Sequence, residues 1–174
     1  MTSDTSDTSD APFRIGHGYD LHRLEPISGG RARPLIVGGV PLPHDHGPIS
    51  HSDGDALYHA VTDAILGALA QPDIGQLFPD TDPRHESQDS AAFLAEAVSR
   101  ARAAGWLVIN LDATVILERP KLAPVKEQIR ANLARLLGLP PDRVNVKGKT
   151  HEQVDAVGEG WAIEVHAVIL LGRA

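Results

Sequence analysis

The chain has 174 residues, 42% hydrophobic and 22% charged, which suits one domain with a buried core. Sixteen basic against 23 acidic residues leave a net charge of −7, which argues against nucleic-acid binding, because neutralising phosphates needs a basic face. The absence of cysteine excludes disulfides, thiolate zinc sites, iron–sulfur clusters and thiol nucleophiles, and leaves nine histidines as candidate ligands or acid–base groups.

Residues 1–12 repeat Thr-Ser-Asp and offer almost nothing to bury, so a disordered tail is expected before a single domain at 13–174. No apolar run approaches the ~18 residues of a membrane span. The start lacks the basic and apolar stretches of a signal peptide, so a cytoplasmic location and no membrane contact are expected. Phe13-Arg14-Ile15 opens a strand that runs on to His22, and Leu35-Ile36-Val37 is a second, short one. Val40 to Ser50, rich in proline, reads as a loop. Ser52, Asp53 or Asp55 caps a helix over Ala56–Ala70. After a polar loop at 71–86, a second helix spans Ser90–Ala104 and stops at Gly105. Leu107–Leu117 alternates as a strand, Ala123–Leu137 is a third helix ended by Gly138, and Val144–Lys147 and Trp161–Leu171 are strands. The pattern predicts an α+β two-layer sandwich, a mixed four-stranded sheet with three helices on one face. The last strand is apolar on both sides except for Glu164 and His166, so the free sheet face calls for cover by other subunits.

Several segments carry chemistry-bearing residues. Asp20 and His22, two apart on a strand, share a face, as half of a metal site or as polar residues at a loop start. His59 and Asp63 lie four apart on the helix side opposite Leu57, Ala60, Val61, Ala64 and Ala68. Such a pair is either solvated or, if His59 meets Asp20 and His22, completes a set of two imidazoles and a carboxylate. That set suits zinc with an open fourth position. Asp73 to Asp82 places three carboxylates around Leu77-Phe78-Pro79, and the apolar pair fits a ligand or partner chain better than a bare turn. Glu118-Arg119-Pro120-Lys121-Leu122 precedes a helix, where backbone amides can receive an anion or a base edge. Lys147 to Glu152 brings two cations, a hydroxyl and a carboxylate to a strand end, like a phosphate-binding turn without the full P-loop spacing.

Taken together these segments resemble the 2-C-methyl-D-erythritol 2,4-cyclodiphosphate synthases of the non-mevalonate isoprenoid pathway. The carrying residues are Arg14 to His22, His51 to Asp55 with His59 and Asp63, and Asp73 to Gly75 with Phe78 to Asp82. Arg119 to Lys121, Val144 to Lys147 and Gly158 to Gly160 complete them. The resemblance spans essentially Phe13 to Gly172. It implies a homotrimer with active sites between subunits, and Zn2+ held by Asp20, His22 and His59. It also implies Mg2+ or Mn2+ bound by Glu152 with the substrate phosphates. His51 and Ser52 would meet the phosphates, beside Asp20 and His22. Asp73, Ile74, Gly75, Phe78, Pro79, Asp80, Thr81 and Asp82 would line the methylerythritol end. Leu117, Glu118, Arg119, Pro120, Lys121, Leu122 and Ala123 of a neighbouring subunit would cradle cytosine. Lys149, Thr150, His151 and Glu152 would bind the diphosphate.

The implied reaction joins two anionic groups of one substrate, 4-diphosphocytidyl-2-C-methyl-D-erythritol 2-phosphate, with loss of CMP. Cations suppress the repulsion, and the nucleophile belongs to the substrate, so positioning is the protein's task. His51 and Thr150 are the candidate catalytic hydrogen-bond partners, and Asp63 is expected to orient His59 or nearby loop groups. One departure stands out: the turn Gln153-Val154-Asp155-Ala156-Val157 is about two residues shorter than usual in the family. It lacks the aromatic and the arginine which, with the position of Glu164, serve an axial anion cavity there. Three other readings of the same residues are a metal-dependent phosphohydrolase, a non-catalytic trimer with structural zinc, and a histidine cluster that holds no metal.

Overall fold

A computed structural model describes residues 11–79, 81–82 and 86–174. The tail at 1–10 and Asp80 lie outside the described residues. Among the described residues seven strands and five α-helices follow in chain order: β1 (Phe13–Pro26), β2 (Ile36–Val37), β3 (Val40–Pro41), β4 (His46–Pro48), α1 (Ala56–Ala68), α2 (Ile74–Leu77) and α3 (Ser90–Ala103). Then come β5 (Trp106–Ile116), α4 (Lys126–Leu137), β6 (Val144–Lys149), α5 (Asp155–Gly158) and β7 (Ala162–Arg173).

The main sheet has the order β4-β1-β7-β5-β6, and β2-β3 form a separate hairpin. All neighbours are antiparallel except β5 and β6, which run parallel across the α4 crossover. The sheet is therefore mixed, as expected, but has five strands rather than four. The extra one is β4, three residues paired to the end of β1 at Leu24–Pro26. It lies inside the stretch expected to be loop, because Gly47 and Pro48 give it no strand signature.

Strand alternation decides what touches the helices. On β7, Ile163, Val165, Ala167, Ile169 and Leu171 are buried beneath the helical layer. On β5, an extra residue between Val108 and Asn110 shifts the register. Trp106 and Val108 before this bulge, and Leu111, Ala113 and Val115 after it, consequently all point into the core. The opposite face carries exposed Ile15, Tyr19, Leu21 and Val168.

On β1 the alternation brings Gly16 and Gly18 against α1. A Cβ at Gly16 would overlap the carbonyl of Ala64, and one at Gly18 the carbonyl of Ala60. The helix backbone thus rests on the strand with no side chain between, which only glycine permits. Alanines dominate the same face of α1 (Ala60, Ala64, Ala68) and complete the close approach. Every residue of α1 except Asp63 and Gly67 is buried. Of the two readings of the His59/Asp63 side, the solvated one does not hold for His59, since α3 and the β2-β3 hairpin cover what the sheet does not. Asp55 is the cap among the three offered by the sequence. Its buried carboxylate accepts from the backbone N–H of Leu57 and Tyr58, and from Gly38 (3.0 Å) and Gly39 (2.7 Å) in the hairpin turn.

Candidate metal centre and active-site cavity

Because α1 sits so close to β1, His59 arrives directly above Asp20 and His22. Asp20 Oδ2 lies 2.9 Å from His22 Nε2 and 3.1 Å from His59 Nδ1, and the two imidazole nitrogens are 3.2 Å apart. Three donors around a tetrahedral metal with bonds of about 2.0–2.1 Å stand about 3.3 Å apart. The triangle formed by these side chains is one face of such a tetrahedron, and its fourth corner faces a cavity. The donor set and its geometry therefore fit zinc. Burial works to raise the Asp20 carboxyl, but hydrogen bonds and charge from His22 and His59 override it and hold it well below the usual range. For His22, burial works downward and the Asp20 hydrogen bond and charge win, raising it. A carboxylate flanked by two imidazoles is the electrostatic arrangement a dication exploits.

The far side of His59 is held as well, by Ser90 and Asp53, for which no functional role is expected from the sequence, and by Ser52, expected to meet the phosphates. With Nδ1 turned to the metal position, Nε2 carries the proton and donates to Ser90 Oγ at 2.8 Å. Ser90 in turn donates its hydroxyl to Asp53 Oδ1 and its backbone N–H to Asp53 Oδ2. Ser52 Oγ also lies 3.2 Å from His59 Nε2. This His–Ser–Asp chain fixes the ring's tautomer and plane, as ligand-supporting hydrogen bonds do at metal sites. Its only sequence signal was Ser-Asp before α1 and a serine opening α3, which read as helix starts.

The cavity at the fourth corner has a volume of about 490 Å³, and Asp20, His22, His51, Ser52, His59, Ile74, Gly75 and Phe78 contribute to its lining, with Ile49, Ser50 and Phe93. His51 Nε2 lies 3.4 Å from the Asp82 carbonyl. Phe78 packs on Phe93 with ring centroids 4.6 Å apart. Leu77-Phe78 are thus placed by the core edge and the cavity together. Asp73 caps α2 through the Gln76 N–H and does not line this cavity. Asp63 accepts the Ile74 N–H at 2.7 Å and so anchors the Asp73–Gly75 loop, with burial pushing its carboxyl upward.

The other expected site residues lie elsewhere on the chain. Leu117, Lys121, Leu122, Ala123, Lys149, Thr150 and Glu152 line a second cavity of about 420 Å³, with Lys126 and Gly148. Thr150 Oγ1 donates to Glu152 at 3.1 Å, and His151 pairs with Asp155 at 3.0 Å. Glu118 and Arg119 face a third cavity, beside Gln153, Gly158, Glu159 and Trp161. The shortened turn is sharply wound: Glu152, Gln153 and Asp155 all have left-handed φ values of 51°, 63° and 61°. Within one chain the metal triangle and the basic, hydroxyl-bearing turn occupy separate cavities.

Residues 13–172 match the model of the YgbB family, and the chain belongs to that family. It is 57% identical over 162 residues to the chloroplastic 2-C-methyl-D-erythritol 2,4-cyclodiphosphate synthase of Oryza sativa subsp. japonica, a match covering 93% of this chain and 71% of that protein. It is 55% identical over 162 residues to the 2-C-methyl-D-erythritol 2,4-cyclodiphosphate synthase of Chromobacterium violaceum, covering 93% of this chain and 99% of that one. A solved Plasmodium falciparum IspF in complex with CDP superposes with a TM-score of 0.81 at 38% identity, covering 95% of this chain and 99% of that one. Among the described residues no helix is long and apolar enough to cross a membrane.

Proposed function

We propose that this chain is a lyase of isoprenoid-precursor synthesis. It converts 4-diphosphocytidyl-2-C-methyl-D-erythritol 2-phosphate to 2-C-methyl-D-erythritol 2,4-cyclodiphosphate and CMP. An oxygen of the 2-phosphate attacks the β-phosphorus, the bond from β-phosphorus to the bridging oxygen breaks, and CMP leaves carrying that oxygen. The observation that carries the reading is the Asp20–His22–His59 triangle opening on a cavity lined by His51 and the Ile74–Phe78 segment. It is supported by the names of the relatives and by the CDP bound to the Plasmodium protein.

Zn2+ held by Asp20, His22 and His59, and Mg2+ or Mn2+ near Glu152, would supply positive charge to the phosphate oxygens. The chain's own residues provide the rest. His51 and Ser52, at the cavity wall next to the triangle, are placed to hold the phosphates. Ile74, Gly75 and Phe78, which line the cavity, are the apolar side against which the methylerythritol carbon skeleton packs and from which water is excluded, and Asp73, Pro79, Asp80, Thr81 and Asp82 are proposed as further contacts to that end of the substrate. Asp63 acts as a positioning residue by holding the Ile74 N–H. The cytosine and diphosphate ends fall to Leu117–Ala123 and to Lys149–Glu152, where Thr150 donates a hydrogen bond to the transferring phosphoryl group.

Because these groups sit in a different cavity of the same chain, the active site is completed by a second subunit. A homotrimer is the assembly proposed, and the exposed Ile15, Tyr19, Leu21 and Val168 are the apolar face it would cover. The acidic, cysteine-free chain is read as cytoplasmic. The wound, arginine-free turn 153–157 is proposed to leave axial binding of prenyl diphosphates weak. Calorimetric titration with farnesyl diphosphate reads this directly, and tight binding of one ligand per trimer overturns it. The activity itself is tested by following CMP release with the cytidine substrate. Absence of CMP from zinc- and magnesium-loaded protein would refute it.

A further inference from the structure

A second histidine–carboxylate cluster lies well outside the cavity of Asp20, His22 and His59. It sits where the chain bends at Asp45 and enters the edge strand β4. Asp45 Oδ1 lies 3.3 Å from His44 Nδ1 and 2.9 Å from His46 Nδ1, and all three ligand atoms fall within 4.8 Å of one another. The two imidazole rings are tilted by 38° to each other, with centroids 5.6 Å apart. None of the three lines the reaction cavity or takes a part in the proposed reaction.

We propose that His44, Asp45 and His46 form a second metal site, which takes a late first-row divalent cation such as zinc or nickel.

The donor set repeats that of the first triangle, one carboxylate oxygen between two imidazole nitrogens. Two of its edges already match the spacing of about 3.3 Å that tetrahedral zinc requires. Imidazole and carboxylate together favour zinc, nickel or copper over magnesium and calcium, which prefer all-oxygen sites. The two imidazoles are largely shielded, with side chains 13% and 22% exposed, whereas Asp45 is 81% exposed. A bound ion would thus be anchored on the protein side and open to water on the other. Arginine 119 lies close enough for its charge to act on His44. That repulsion makes this the weaker of the two sites.

The structure contains its own reporter. The His46 ring meets Trp161 edge-on with centroids 5.6 Å apart. The other tryptophan, Trp106, is buried elsewhere, with the Arg14 and Arg173 guanidiniums over its ring. The experiment takes tag-free, full-length protein loaded with one equivalent of zinc per chain and titrates it with Ni2+ while following tryptophan emission. The expected result is saturable quenching at one nickel per chain, absent in Trp161→Phe. In His44→Ala, which leaves the His46–Trp161 contact in place, half-saturation should rise at least about tenfold while CMP release stays at the parent rate. Unsaturable quenching, or the same half-saturation in His44→Ala, would mean that the cluster is only an ion pair and would overturn the proposal.

Discussion

The contact between β1 and α1 is where fold and chemistry meet, and Gly18→Ala tests it. A methyl group at Gly18 would lie 2.6 Å from the Ala64 nitrogen and 2.8 Å from the Ala60 carbonyl carbon, where ordinary contact begins at 3.4 Å. The atoms it meets are helix backbone, the nearest being the Ala60 carbonyl oxygen at 1.8 Å, so no rotamer change relieves the overlap, and α1 must retreat by about 1.5 Å. His59 rides on α1, and Asp20 and His22 on β1. The 3.1 Å edge between His59 and Asp20 would stretch towards about 4 Å, too long for one tetrahedral ion to span. Overpacking of this kind costs about 1–3 kcal/mol, a fall of several degrees in Tm. The displaced ligand should cost most of the bound zinc and about a hundredfold in kcat. Gly67→Ala on the same helix is the control. Its new methyl finds only the His17 carbonyl at 3.8 Å, so it should keep zinc and activity and gain about 0.4–1 kcal/mol of stability. Zinc per chain by elemental analysis, thermal unfolding and CMP release are measured side by side. If Gly18→Ala keeps full zinc and full activity, the close approach does not position the site and the reasoning fails.

Further expectations follow from the same geometry. Ser90→Ala removes the acceptor for His59 Nε2 and should weaken zinc binding about 10–100-fold, read by competition with a chelator, while secondary structure is unchanged. Unchanged affinity would mean that Ser52 alone holds the ring. Zinc affinity should also depend on pH in a defined direction. Because Asp20 raises His22 above its ordinary value of 6.5 in the metal-free site, a proton competes with the ion there. Affinity should be level above that raised value and fall about tenfold per pH unit below it, for each proton displaced. Zinc titrations from pH 8 to 5 check this, and an affinity flat to pH 5 contradicts it. Stripping zinc with a chelator should abolish CMP release and restore it on re-addition. Full activity of the metal-free protein would remove the ion from the account.

What the sequence revealed depended on how local the cause was. The long strands at Phe13, Trp106 and Ala162 carry their own alternation, and α3 and α4 their own periodicity and stops. These were legible to within a few residues, although α4 begins at Lys126 rather than Ala123. The edge strand β4 and β3, the return strand of the hairpin, are two or three residues long and exist through pairing, which no propensity records, whereas β2 lies where Leu35–Val37 is expected as a short strand. The covering of α1 on every side was equally illegible, because it depends on Asp55 tying the helix to Gly38 and Gly39 across the chain. At the site, the donors Asp20, His22 and His59 were readable from residue type and spacing. Their convergence was conditional on a helix position that Gly16 and Gly18 set. Ser90 and Asp53 went unnoticed for function because serine and aspartate before helices already have an explanation in capping.

The most direct test of the central claim is ³¹P NMR of the purified protein with 4-diphosphocytidyl-2-C-methyl-D-erythritol 2-phosphate, magnesium and one equivalent of zinc. The account predicts that the substrate signals are replaced by those of a cyclic diphosphate and of CMP in equal amounts, with no inorganic phosphate. Release of free phosphate instead would make the metal cavity a hydrolase site, and an unchanged spectrum from zinc-loaded protein would contradict the assignment of this reaction to the chain.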